Sequence, residues 1–506
     1  MPRVLGLTAS LRGARQGAGV ENLLGEIRRL EDRDSLQDFL EAETRTLLEE
    51  FERCGRQDGL PFDKLYARLK AGVGLHGLSN SEAAMAAGLW GAHKEGAEID
   101  YCNLQRFFPE SGSNRNLGEF REHLLAADAL LLSGPVYFGD RSSLAQAFLE
   151  FLYSDPECLA HLHDKVYGGI AVGAKRNGGQ ETTLVYQLID MMNIGMLGVG
   201  NDSESTSQYG GTVVAGDVGT AAADDYGMAT SIDTGRRVAK VSRVVQQGSA
   251  INSGSRTRIA IWLLQDDEDH NGLNRVRRFC DEVGRDQGDV EFEIMDFTTE
   301  QVHRCIACDV CPVEPGLVDD YRCIVSSKRD LFARHHETLV DVDGVMVAAY
   351  SPQKKAGLNS VYQKFIERTR YIRRDDYAIG DVLSAPLVFS EIDSNQNLHI
   401  RMTTSLIRHH TVMHPPMLGF EQNGAMLNWD SLVARGKSFV DNARNLHRGC
   451  LAEPIDADTK YNPLGYVISD ARSRALEASG VADSVRERRV VEAEEKLKRR
   501  LGNQMP

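Results

Sequence analysis

The chain has 506 residues, more than one hydrophobic core usually serves, so we expect two domains. The net charge of -15 argues against a nucleic-acid-binding surface and favours small-molecule partners, while 42% hydrophobic residues are ordinary for a globular protein. No apolar stretch approaches the roughly 20 residues that a membrane span needs, and no signal peptide is recognisable. Most of the nine cysteines are scattered, so a cytoplasmic protein is expected.

Short β-type runs alternate with longer helical patterns in the first half of the chain, which is typical of parallel α/β architecture. The predicted strands cover residues 3–9, 97–104, 128–135, 166–173 and 195–200. Residues 28–96 carry more helical sequence than one crossover between two strands needs. We therefore expect a helical insertion there.

The second half repeats this order, with predicted strands at residues 256–264, 290–297, 343–352, 385–391 and 415–420. The segment DALLLSGPVY at 128–137 is matched by DGVMVAAYSP at 343–352, and SLAQAFLEF at 143–151 is matched by SVYQKFIER at 360–368. This order predicts two doubly wound parallel-sheet domains in tandem. They would cover residues 1–250 and 256–450, and a C-terminal extension with a charged helix would cover residues 451–506.

Three loops of the first half follow predicted strands, where open parallel sheets bind their ligands. The loop at 8–19 combines small and hydroxyl residues with arginines, which suits a phosphate. The loop at 133–143 contains a proline and two aromatic residues and suits a flavin ring, although a packed loop with core aromatics would have the same pattern. The loop at 173–183 contains two adjacent glycines that permit close approach to a ligand. A further small-residue loop covers 208–212.

The segments GLTASLR, SGPVYFGD, RNGGQETT and QYGGT, in this order, resemble the NADPH-dependent FMN reductase and iron–sulfur flavoprotein family of flavodoxin-like proteins. The resemblance covers most of residues 1–245 outside the insertion. It implies flavodoxin-like domains, FMN as the cofactor and NAD(P)H as the reductant. The residues predicted to bind the cofactor are Thr8, Ser10, Arg12 and Arg15 near the phosphate, and Pro135, Val136, Tyr137, Phe138, Gly139, Lys175, Arg176, Asn177, Gly178, Gly179, Gln180, Thr182, Tyr209, Gly210 and Gly211 around the flavin.

The second half contains a cysteine cluster where the family places its cysteines. Cys305, Cys308 and Cys311, followed by Cys323, are suited to a [4Fe–4S] cluster. A structural zinc site and a metal-free remnant are the alternatives, and the long gap before Cys323 leaves the fourth ligand open. Four acidic residues at 266–269 replace a phosphate loop after the first strand of this half, so no second FMN is expected.

Together these features predict an FMN-dependent oxidoreductase, linked to NAD(P)H, that passes electrons between FMN in the first domain and the cluster in the second. The partner would be a small-molecule substrate or electron acceptor. The resemblance also implies a homo-oligomer, because iron–sulfur flavoproteins place the cluster of one subunit near the FMN of another. The alternatives are a non-catalytic electron-transfer or flavin-binding protein with zinc or no metal in its second domain, and an oxidase or reductase for one particular metabolite.

Overall fold

The computed structural model describes residues 1–11, 18–55, 61, 63–64, 77–109, 116–202, 208–251, 256–266, 269–307, 323, 325, 327–353, 360–374, 377–394 and 397–453. The chain divides into two compact units, Met1–Arg243 and a second that begins at Val244. In the part of the chain that is described, no helix has the length and apolarity that a membrane crossing requires. Nearly all of the predicted C-terminal extension lies outside the described residues.

Unit 1 contains a parallel sheet with the strand order β2-β1-β3-β4-β5, and β6 also pairs with β4. Its strands are β1 (Arg3–Thr8), β2 (Glu98–Asn103), β3 (Ala129–Pro135), β4 (Val166–Gly173), β5 (Leu197–Gly198) and β6 (Gly211–Val214). The strands are buried along almost their whole length, as expected for a parallel sheet covered on both faces. This order confirms the predicted α/β class and is that of a flavodoxin-like fold. Gly211 and Thr212 of the QYGGT segment, which was predicted as a loop, lie in β6.

The helices of unit 1 cover both faces of this sheet. They are α1 (Ala18–Arg29), α2 (Arg33–Gly55), α3 (Asn80–Lys94), α4 (Leu104–Phe107), α5 (Leu117–Ala126), α6 (Ser143–Ser154), α7 (Pro156–Leu162), α8 (Gln180–Asn193) and α9 (Asp225–Ala250), with a short 3-10 helix at Ala221–Ala223. The boundary between the two units falls within α9.

Helix α3 is the central helix of unit 1, although it falls within the stretch predicted as an insertion. It packs directly on β1 and β3, so it is the crossover helix that joins β1 to β2, and α1 and α2 are the additional helices. Every residue from Ser81 to Ala92 is buried. Small residues make this close packing possible: a Cβ on Gly88 would lie 3.0 Å from Ile170 Cδ1, and one on Gly91 would lie 2.3 Å from a carbonyl oxygen of α9.

Unit 2 contains a second parallel sheet with the order β8-β7-β9-β10, in which β11 and β12 both pair with β10. Its strands are β7 (Thr257–Gln265), β8 (Val290–Asp296), β9 (Gly344–Ser351), β10 (Leu383–Glu391), β11 (Val412–Met413), β12 (Met417–Gln422) and β13 (Ala425–Met426). Its helices are α10 (Asn271–Gly284), α11 (Leu331–Val340), α12 (Ser360–Arg368), α13 (Arg370–Arg374), α14 (Leu398–Leu406) and α15 (Trp429–Ala452), with a 3-10 helix at Ile407–His409.

The same pair of hydrogen bonds occurs at the start of the sheet in each unit. In unit 1 the backbone N–H of Arg3 donates to Asp128 Oδ2 over 2.9 Å, and the Asp128 N–H donates to the Arg3 carbonyl over 2.8 Å. In unit 2 Arg258 and Asp343 make the same two bonds, both 2.9 Å long. Each aspartate thus fixes the beginning of the first strand against the beginning of the strand beside it in the sheet.

Candidate functional site

Two of the loops predicted to bind a cofactor meet at the carboxyl ends of β1 and β3. The Ala9 N–H donates to the Ser133 carbonyl over 2.8 Å, and the Ser142 hydroxyl donates to the Ala9 carbonyl over 3.2 Å. Because the strands are parallel, their carboxyl ends lie on one edge of the sheet, where ligands of this fold class bind. The structure therefore brings the loops after β1 and β3 together.

The loop after β3 makes a tight turn that exposes two aromatic rings. Tyr137 and Asp140 exchange backbone hydrogen bonds of 2.8 and 2.9 Å, and the residues between them, Phe138 and Gly139, have φ values of +53° and +79°. Such a turn requires left-handed backbone at both central positions, which is rare for a bulky residue such as phenylalanine. Tyr137 is 54% exposed and Phe138 is fully exposed. Strained, exposed aromatic groups of this kind favour a ligand-binding role over a packed loop.

The loop after β4 lies directly against this turn. Gly179 has φ +101°, and a Cβ at this position would lie 2.8 Å from Gly139 Cα and 3.2 Å from Val136 Cγ1. A Cβ on Gly139 would in turn lie 4.0 Å from Thr182 Cγ2. Only a glycine at position 179 lets the two loops approach this closely.

The other residues predicted to contact the flavin differ in their exposure and in their bonding partners. The buried Gln180 side chain donates to the Lys175 carbonyl over 2.8 Å and accepts from the Gly178 N–H over 2.9 Å, so it holds the shape of the loop. Arg176 donates to the Thr212 carbonyl and forms an ion pair with Asp224. Lys175 and Asn177 are exposed, and Pro135 and Tyr209 are half-buried. Gly210, with φ +134°, lies against the Gly169 carbonyl, and the buried Gly211 begins β6.

The predicted phosphate residues are only partly described. Thr8 and Ser10 are buried at the end of β1, whereas Arg12 and Arg15 lie outside the described residues. Beside Thr8 lies the first turn of α3, whose start is fixed by a capping box: Ser79 Oγ accepts from the Glu82 N–H, and Glu82 Oε2 accepts from the Ser79 N–H over 2.9 Å. The first N–H groups of a helix favour a bound anion.

Glu82 is a buried carboxyl at this end of the site and was not predicted. It is 1% exposed, and its Oε1 accepts from Tyr101 Oη over 2.8 Å and from Asn103 Nδ2 over 3.4 Å. Tyr101 Oη lies 2.7 Å from Thr8 Oγ1. Burial raises the pKa of Glu82 to about 7, against the lowering effect of its hydrogen bonds. The Ser-x-x-Glu pattern before an apolar run was the sequence signal for this residue.

The corresponding edge of unit 2 is closed by protein groups. The buried Asp266 carboxylate accepts from the N–H groups of Gly272 and Leu273, at 2.6 and 3.1 Å, and so takes the anion position at the start of α10. The carboxylate therefore caps this helix itself, and the absence of a second FMN stays a prediction. At the same edge Arg275 forms an ion pair with the buried Glu421.

The cysteine cluster is described at Cys305 and Cys323 alone, both partly exposed, and Cys308 and Cys311 lie outside the described residues. Cys305 Sγ accepts from the Ala307 N–H over 3.4 Å and lies 3.9 Å from Arg370 Nη1. In the described ranges no group of three or more metal-binding side chains comes together.

The segment before Cys305 is anchored by a buried ion pair. Arg368 donates to both oxygens of Asp330, over 2.9 and 3.0 Å, and Asp330 Oδ2 also accepts from the His303 N–H over 3.0 Å. Burial opposes the charge of Asp330, but the bonds from Arg368 and His303 outweigh it and hold the pKa of the Asp330 carboxyl below its usual range.

Comparison with known proteins agrees with this geometry. The pattern of the NADPH-dependent FMN reductase family matches residues 75–209, starting just before α3. An iron-sulfur flavoprotein of Methanocaldococcus jannaschii is 35% identical over 147 residues, which are 29% of this chain and 75% of that protein. An NAD(P)H dehydrogenase (quinone) of Caulobacter vibrioides is 27% identical over 171 residues, which are 30% of this chain and 85% of that protein. The chain belongs to the NADPH-dependent FMN reductase family, and it is an FMN-dependent oxidoreductase.

Solved structures with a similar arrangement include a WrbA-like flavodoxin from Agrobacterium tumefaciens. It is 17% identical with a TM-score of 0.24, and the match covers 48% of this chain and 98% of that one. A flavone reductase is 14% identical with a TM-score of 0.26, over 48% of this chain and 64% of that one. Both TM-scores are low, so the fold assignment rests on the strand order and on the family match.

The residues at this edge of unit 1 fit FMN. The exposed rings of Tyr137 and Phe138 offer a flat apolar surface, and the missing side chain of Gly179 leaves its backbone accessible to a ring. Thr8 and the start of α3 supply hydroxyl and N–H groups at the end where a phosphate is expected.

Substitution of Gly179 tests whether the contact between the two loops shapes the site. We expect Gly179→Ala to weaken FMN binding about tenfold or more, because the added Cβ displaces Gly139 and the turn. The control is Gly96→Ala, which has a similar φ of +81° but open space around its Cβ. FMN titration of both variants checks this, and equal FMN affinities would contradict it.

Proposed function

We propose that unit 1 binds FMN at the carboxyl ends of β1, β3 and β4 and uses it to oxidise NAD(P)H. The observation that carries this proposal is the aromatic turn at Tyr137 and Phe138, which faces outward and is packed against Gly179. An exposed aromatic pair on a left-handed turn costs free energy in the isolated protein. A planar ligand that covers the rings offsets that cost.

The chain itself binds and orients the cofactor. The N–H groups at the start of α3 and the hydroxyls of Thr8 and Ser10 would hold the phosphate, and the turn at 137–139 and the loop at 175–179 would border the flavin. When bound, FMN supplies hydride and single-electron chemistry. The side chains then act by orientation and by exclusion of water, because no protein nucleophile is needed.

The names of the relatives support a nicotinamide donor and a quinone-like acceptor. The family description includes NADPH, and the Caulobacter relative is named an NAD(P)H dehydrogenase (quinone). We therefore propose a small-molecule electron acceptor for this chain.

Removal of one exposed ring tests the flavin position. We expect Phe138→Ala to weaken FMN binding about tenfold, because an aromatic contact contributes on the order of 1 kcal/mol beyond its buried area. The matched control is Tyr153→Ala, which removes a ring that is 59% exposed on α6. FMN fluorescence titration gives the affinities, and NAD(P)H oxidation with a quinone gives the rates.

The same titration shows how the proposal would fail. If the wild-type chain does not bind FMN, or if Phe138→Ala and Tyr153→Ala lose the same FMN affinity, the proposed position of the flavin is wrong. FMN binding without NAD(P)H oxidation unless a partner reductase is added would favour the non-catalytic electron-transfer protein.

We also propose that Cys305, Cys308, Cys311 and Cys323 bind a [4Fe–4S] cluster in unit 2 that exchanges electrons with the FMN site. The support is the cysteine spacing and the name of the Methanocaldococcus relative, an iron-sulfur flavoprotein, together with the anchoring of the segment before Cys305 by Arg368 and Asp330. Iron and sulfide analysis of anaerobically purified chain should find about four of each per chain. Zinc, or no metal, would contradict the cluster and leave the FMN site intact.

We further propose that the two units arose by duplication. Their common strand order and the repeated contacts of Arg3 with Asp128 and of Arg258 with Asp343 support this origin. The homo-oligomer and the cytoplasmic location stay predictions.

A further inference from the structure

A continuous line of hydrogen bonds joins the first strand of unit 1 to the first turn of α3. It runs from Thr8 Oγ1 to Tyr101 Oη over 2.7 Å and from Tyr101 Oη to Glu82 Oε1 over 2.8 Å. The other oxygen of Glu82 accepts from the Ser79 N–H over 2.9 Å. Every residue in this line is buried, so water does not screen the carboxyl.

Among the residues that the structure describes, little compensating charge lies around Glu82. Asn103 adds a neutral donor from β2, and Ser133 of β3 donates to the Ser81 carbonyl. Several charged groups on or beside the neighbouring elements bond to other partners. Glu43 of α2 accepts from the Gly77 N–H, Arg28 of α1 donates to the Ile99 carbonyl, Asp100 of β2 pairs with Arg3 and with His123 of α5, and Asp224 pairs with Arg176. In the described part of the chain, Tyr101 is the ionisable group bonded to Glu82.

We propose that Glu82 couples the binding of the FMN phosphate to the uptake of one proton. This inference rests on the proposed function, because it places the phosphate at Thr8 and the start of α3. An ionised Glu82 and a phosphate dianion at the same helix start repel each other across a buried region of low dielectric. A neutral Glu82 removes that repulsion.

The direction of the hydrogen bonds changes with the proton. When Glu82 is ionised, Tyr101 must donate to it, so the Tyr101 oxygen accepts from the Thr8 hydroxyl and the Thr8 proton points inward. When Glu82 Oε1 carries a proton, it can donate to Tyr101, which then donates to Thr8. The Thr8 hydroxyl is thereby released to donate towards the loop after β1. The burial that raises the pKa of Glu82 to about 7 makes this exchange possible near neutral pH.

Measurement of the FMN dissociation constant against pH tests this coupling. For the wild-type chain we expect the dissociation constant to rise about tenfold from about pH 6 to about pH 8, because one linked proton gives a factor of up to ten per pH unit. For Glu82→Gln, which keeps the shape of the side chain without an ionisable group, we expect a constant close to the wild-type value at about pH 6 and about tenfold below the wild-type value at about pH 8.

Two controls separate this effect from others. Riboflavin lacks the phosphate, so its affinity should not differ between the two proteins at any pH in the range. Glu43→Gln removes a nearby carboxylate outside the hydrogen-bonded line and should keep the wild-type FMN profile. The second ionisation of the FMN phosphate, with a pKa of about 6, affects all variants equally and cancels in the comparison.

Calorimetric titration in two buffers with different ionisation heats gives the number of protons directly. The titration is made at about pH 7.5, just above the pKa of the Glu82 carboxyl. We expect the wild-type chain to take up as much as one proton per FMN bound, and Glu82→Gln to take up less. If Glu82 had a structural role alone, the wild-type chain and Glu82→Gln would take up the same number of protons per FMN.

Folding of the variant is checked by thermal unfolding. The pKa of folded Glu82, about 7, exceeds its ordinary value of 4.5, so this group lowers wild-type stability as the pH rises from 4.5 to about 7. Glu82→Gln has no carboxyl at this position, so its folding stability does not decrease for this reason, and the variant should fold at neutral pH. If FMN binds to both proteins with the same pH profile, the coupling is wrong and the FMN site stands. If FMN binds to neither at any pH, the proposed function fails.

Discussion

The site of unit 1 depends on the buried contact between the end of β1 and the start of α3. The helices α1 and α2 separate Thr8 from Ser79 in the sequence, so the two halves of the proposed anion-binding end meet only in the folded chain. Glu82 makes this connection, since it caps its own helix through Ser79 and reaches Thr8 through Tyr101. A buried carboxyl is expensive to desolvate, and here its hydrogen bonds to Ser79 and Tyr101 fix the start of α3.

Strands such as β3, β4 and β9 could be predicted from the sequence because each is a short, continuous apolar run, as buried parallel strands are. The central helix α3 could not be separated from the helical insertion, since a helix buried on all sides has no amphipathic pattern. Its capping box was the available signal. The very short β5 and β6 also differ from the prediction, because pairing with β4 sets their limits more than local sequence does.

The loops of the site were predictable from composition, but the roles of their residues were not. Gln180 has the polar group expected of a cofactor contact, yet its side chain bonds to the loop around it. The sequence predicts that Phe138 binds the flavin ring, and its left-handed backbone and full exposure are consistent with that prediction. The capping role of Glu82 has a local sequence pattern, but its contact with Tyr101 and the contact of Tyr101 with Thr8 join residues far apart in the sequence, where local patterns carry no information.

The two units have the same strand order and opposite chemistry at the ligand-binding edge. In unit 1 the start of α3 and the aromatic turn offer donors and an exposed ring surface, whereas in unit 2 the Asp266 carboxylate already occupies the donors at the start of α10. A phosphate at the start of α10 would have to displace a buried carboxylate that accepts two hydrogen bonds and is itself negatively charged. The two units thus share a strand order, and in our proposal unit 1 alone binds the phosphate.

The number of FMN molecules bound per chain tests this account most directly. Calorimetric titration of flavin-free protein with FMN should give one site per chain, in unit 1. Two equivalent sites would show that the capping by Asp266 does not exclude the cofactor, and no binding would show that the edge of unit 1 is not a flavin site.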